Sequence, residues 1–131
     1  MLGFVLGLHS GVRYLVLLAA VAALVAAIMA GRPGRPASRT HERTYTIFVG
    51  LLDLQVVIGI VLLLLRGFYP QLMGHIFTML LAVAVAHGFG IAARSRERER
   101  MQPAAGMRIA GAVLTVILVI GGIMAIGRPI L

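Results

Sequence analysis

The stretch LMGHIFTMLLAVAVAHGFGIAA, residues 72–93, decides how this chain is read: it is long and apolar, yet it carries His75 near one end and His87 near the other. About 20 apolar residues cross a hydrocarbon core of ~30 Å. A polar side chain inside such a span is costly unless partnered, so it marks a functional site whose partner must be found. The remaining polar groups in apolar surroundings are His9, Arg13, Asp53 and Gln55.

Three more apolar runs flank this one, Leu8 to Ala30, Tyr45 to Leu65 and Met107 to Ile126. Together the four account for most of the 131 residues, 60% of them hydrophobic, at a mean hydropathy of +1.02. A soluble domain is closer to half apolar. The expectation is an all-α fold, a four-transmembrane-helix bundle formed by one membrane domain over 1–131, with no soluble domain to carry chemistry.

The formal charge of +8 would suggest nucleic acid in a soluble protein, but the arginines flank the spans. Arg32, Arg35, Arg39 and Arg43 separate the first two runs; Arg94, Arg96, Arg98, Arg100 and Arg108 separate the last two. The positive-inside rule then places both basic loops in the cytoplasm and both termini outside. The expectation is a multi-pass protein of a cytoplasmic (inner) membrane, whose basic loops meet anionic lipid headgroups and which binds no nucleic acid. With no cysteine, thiolate metal sites, iron–sulfur clusters and disulfides are all excluded. The N-terminus lacks the features of a cleaved signal, so the first span is expected to be retained.

Local features follow. Gly3, Gly7 and Gly11, continued by Leu15, Ala19, Ala23 and Ala27, form a four-residue ridge expected to be a helix-packing face. The loop from Gly31 to Thr44 should be irregular, with His41 solvated at its surface. The link 66–71 forces a tight hairpin between the second and third runs, and residues 94–100 should extend the third helix into solvent. Pro103 should open the fourth, whose apolar body closes the bundle.

Counting along the helices sorts the buried polar groups into two layers. His9, Arg13 and His75 share the outer one; Asp53 and His87 share the inner one. Two imidazoles on different helices suit the axial positions of one b-type haem, with Arg13 neutralising a propionate. Met73 and Met79 are lesser candidates for an axial or copper ligand, since Met in a span is usually a gap filler. Asp53 and His87 form either a structural pair or a proton relay. His75 and His87 stand about 120° apart on an ideal helix, which argues against a second haem.

The segments LHSGVRYLVL (8–17), LLDLQVVIG (51–59) and GHIFTML (74–80) resemble small four-span bacterial membrane proteins described as cytochrome-b-like. The resemblance implies roles for His9, Ser10, Arg13, Tyr14 and His75. Where that group often has a histidine shortly before the glutamine of its second span, this chain has Asp53.

The expected function is thus electron transfer by a membrane-embedded haem protein, a small subunit of a respiratory or photosynthetic complex. Its partners would be other membrane subunits or a quinone. No nucleophile–base arrangement points to catalysis by the chain alone. The rivals are a cofactor-free structural accessory subunit and a proton-coupled carrier using Asp53 and His87.

Overall fold

The computed structural model describes residues 1–33, 39–100 and 104–127. They form four helices, α1 (Leu2–Ala30), α2 (Thr40–Arg66), α3 (Leu72–Arg100) and α4 (Ala105–Ala125). All four are long and apolar enough to cross a membrane. Lipid offers no hydrogen bonds to the backbone, so an apolar span satisfies its amides by coiling into a helix. The helices outrun the apolar runs, because flanking polar residues continue them into the interface. At 29 residues, α1 and α3 each reach ~43 Å.

Two ends can be told apart. At the hairpin end, Gly67 terminates α2 at φ 89°, in the left-handed region that a β-carbon resists, while its N–H still bonds the Leu63 carbonyl at 2.8 Å. The Tyr69 and Pro70 carbonyls then accept the first amides of α3. At the opposite, basic end lie the two arginine-rich connections. There α2 begins at Thr40, so the helix takes up residues 40–44 of the segment expected to be irregular. Pro103 lies outside the described residues.

Around the bundle α1 packs on α2 and α4, and α3 packs on α4. Between α2 and α3 close backbone approaches are fewer, and side chains join them instead: Tyr45 to Ala86, His41 to Glu97 and Asp53 to His87. Where helices do meet, Ala20, Ala23, Ala27, Ala82, Ala86 and Ala112 are fully buried. Large side chains such as Phe4, Leu18, Leu64 and Phe77 point outward. Small residues inside and bulky ones outside is the membrane pattern, because contact between backbones rather than water exclusion holds the helices.

The glycine ridge behaves differently from the expectation. A β-carbon at Gly3, Gly7 or Gly11 would meet nothing, whereas Ala23 and Ala27 on the same ridge are buried. Four residues advance a helix by ~40° more than one turn, so a strict four-residue stripe winds from the outer surface into the core along α1. Inside the bundle the packing face of α1 is Val5, Val12, Val16, Ala20 and Ala23.

The basic end is tightly closed. Tyr45 donates to the Ala86 carbonyl at 2.7 Å and meets Phe48 edge-on, its ring lying over Gly90 and Gly111. His41 is not solvated: it is 6% exposed and its Nε2 lies 3.0 Å from Glu97. The same Glu97 oxygen accepts from Arg108 Nη1 at 2.6 Å and from the Ala104 amide at 3.0 Å. Burial alone would raise this carboxyl. The Arg108, His41 and Ala104 hydrogen bonds outweigh it and hold the pKa at about 2, below the ordinary 4.5. Glu97 lies beyond Ala93, where the apolar run of α3 ends.

Candidate functional site

Toward the hairpin end the four helices splay around a gap. Its cavity is about 200 Å³ and is open on one flank. His9 of α1 and His75 of α3 both line it, as do Arg13 and Gln55. Helices α1 and α3 are diagonal partners with no close backbone approach, so their side chains meet only across this gap.

The two imidazoles lie with ring centroids 6.4 Å apart and planes at 75°. His75 Nδ1 is 3.0 Å from the Gly122 carbonyl of α4. A carbonyl can only accept, so Nδ1 carries the proton and the neutral ring keeps its lone pair on Nε2. A backbone carbonyl that fixes the tautomer in this way is the usual support behind a ligating imidazole. His9 rests on Gly59, where a β-carbon would come within 3.3 Å of its Cε1. Gln55 Nε2 donates to the His9 carbonyl at 2.8 Å and braces that turn of α1 against α2.

Arg13 sits one turn from His9 toward the basic end. Its Nη2 donates to the Tyr14 hydroxyl at 3.0 Å, and its guanidinium lies 4.8 Å from that ring. At the other limit of the gap, its mouth at the hairpin end, stand Arg66 and Tyr69, the cation 5.6 Å from the aromatic centroid. Met79 also lines the gap, while Met73 is exposed on the outside of α3. Among the described residues no group of three or more His, Cys, Asp or Glu could hold a bare metal ion.

Asp53 and His87 do meet. His87 Nε2 lies 3.0 Å from both carboxylate oxygens. The pair bridges α2 and α3 on the outer flank, each side chain 44% exposed, and neither residue borders the gap.

Sequence reasoning brought His9, Arg13 and His75 to one depth, and the structure gathers them round one gap. It missed Arg66 and Tyr69, which lie in the link 66–71 read only as a hairpin, and the Gly122 carbonyl, which no side-chain type announces. No known protein family, characterised protein or solved structure matches the chain.

Proposed function

We propose that this chain is a membrane-embedded b-type haem protein for electron transfer, a small subunit of a larger respiratory or photosynthetic complex in a bacterial cytoplasmic membrane. The observation that carries the reading is the pair of imidazoles on different helices, 6.4 Å apart at 75°, both lining the gap. Two rings bound to one metal at ~2 Å per bond stand ~6 Å apart between centroids, close to the 6.4 Å found. With only two protein ligands, the remaining positions would fall to a macrocycle, which would have to extend out of the cavity of about 200 Å³ through its open flank. Haem supplies a one-electron couple when bound.

The chain's own residues then divide the work. His9 and His75 ligate, and Gly122 holds the His75 tautomer. Arg66 at the mouth, beside the polar interface, takes the carboxylate-binding role that the sequence assigned to Arg13. Arg13 lies on the inner side of His9, away from that mouth.

The basic loops face the cytoplasm in this reading, from the arginine distribution. The uncovered Gly3, Gly7 and Gly11 edge of α1 supports assembly with other membrane helices. That same edge is what favours the second reading, an accessory subunit without cofactor. A pyridine haemochrome assay on purified protein separates the two. The haem reading expects a b-type signal in the wild type and its loss in both His9→Ala and His75→Ala. A colourless wild-type protein isolated from its native membrane leaves the accessory reading in front.

A further inference from the structure

Two side-chain atoms on the inner floor of the gap are buried without a hydrogen-bond partner among the described residues. One is a donor, Arg13 Nε, and the other an acceptor, Gln55 Oε1. Gln55 is only 8% exposed, and both residues line the gap. Both border one gap, and the Gln55 amide bonds the carbonyl of His9, four residues before Arg13 on α1. A buried polar atom left unpaired is costly, so such a donor and acceptor together describe a missing group that both accepts and donates. A single hydroxyl does both.

Depth restricts what can carry that hydroxyl. Arg13 and Gln55 each stand eleven residues from the hairpin-end terminus of their helix, ~16 Å by helical rise, at the inner limit of the outer layer. A phosphate or carboxylate headgroup does not reach there. The way in is lateral. Ile60 of α2 and Leu80 of α3 both line the gap and are 53% and 58% exposed, so the gap reaches the outer surface on the α2–α3 side. Polar floor and apolar side door together fit a neutral ring with a hydrocarbon tail, entering from the bilayer.

We propose that Arg13 and Gln55 form a binding site for the reduced, hydroxyl-bearing head of a lipid-soluble quinol, which enters between α2 and α3. The ring hydroxyl donates to Gln55 Oε1 and accepts from Arg13 Nε. The oxidised quinone has only carbonyls, which satisfy Arg13 and leave Gln55 Oε1 unpaired, so the site favours the reduced form. One buried unpaired group corresponds to about tenfold in affinity. The choice of a redox-active ring over another neutral alcohol rests on the haem reading; the site itself does not.

The test is retention of a radiolabelled decyl-tailed benzoquinol, and of the matching benzoquinone, by the full chain in nanodiscs, against empty nanodiscs. Haem content is measured on the same samples and folding by circular dichroism. The expected result is quinol retention about tenfold tighter than quinone, with Gln55→Leu bringing quinol down to the quinone level. Leu80→Trp, at an exposed position on the α2–α3 side, should weaken both forms and preserve their ratio. Quinol held no better than by empty discs, a preference that survives Gln55→Leu, or equal competition by cholesterol overturns the proposal. Haem present without quinol retention sinks this site alone. Quinol retention by a haem-free wild type sinks the haem reading alone.

Discussion

The two halves of the bundle use their polar residues in opposite ways. At the basic end, Glu97 gathers His41, Arg108 and the Ala104 amide onto one oxygen, and Tyr45 fills the space that Gly90 and Gly111 leave. At the hairpin end, His9, His75, Arg13 and Gln55 surround open space, and Arg13 Nε and Gln55 Oε1 have no hydrogen-bond partner among the described residues. One half spends polar groups on closing three helices together; the other holds them apart. The difference assigns stability to the basic end and ligand binding to the hairpin end.

The comparison breaks most readily at Glu97. Arg108 is 1% exposed, and Glu97→Ala leaves its charge buried without that partner. Removing one member of a buried pair costs about 3 kcal/mol, so thermal unfolding in detergent should drop sharply. Gln55→Leu at the other end should leave the melt nearly unchanged.

Gly111→Ala comes next. Its β-carbon would fall 2.8 Å from the Phe89 Cβ and collide with the Tyr45 hydroxyl, an overpacking worth about 2 kcal/mol in the same melt. Gly122→Ala crowds the cavity end more mildly, against the Met79 Cε and Thr78 Oγ1 side-chain ends at 2.5 Å, beside the carbonyl that orients His75. Its signature should be loss of ligand-dependent absorbance out of proportion to the loss of stability.

A smaller effect is pH-dependent. Because the Glu97 carboxyl is held at about 2 in the fold, against an ordinary 4.5, its contribution is complete above pH 4.5 and lost as pH falls toward 2. Melting temperature against pH should show that acid limb in the wild type and lose it in Glu97→Gln. Smallest of all is Gly59→Ala, which asks the His9 ring to give by a few tenths of an ångström. It should alter the spectrum of the bound group and leave the melt in place.

These contrasts also explain what could be read in advance. The four helices were legible because lipid imposes a length and a composition that hydropathy reports directly. Counting residues put His9 and His75 at one level because a helix rises uniformly. His41 was misread because its partner, Glu97, lies 56 residues further on, at the far end of a helical extension that the alternating charges alone describe as solvated. Arg108 looked like a loop arginine and is nearly inaccessible for the same reason. The glycine ridge misled because four-residue spacing drifts round the helix over the length of α1. The Gly122 carbonyl was out of reach, since every residue offers one and only packing selects which is used.

Electron paramagnetic resonance of the oxidised, purified protein tests the two-imidazole site most directly. A low-spin ferric signal typical of two imidazole ligands, converted to high spin or abolished by either His9→Ala or His75→Ala, is the result the account predicts. A wild-type sample with no ferric signal, or with a low-spin signal that survives both substitutions, would contradict it.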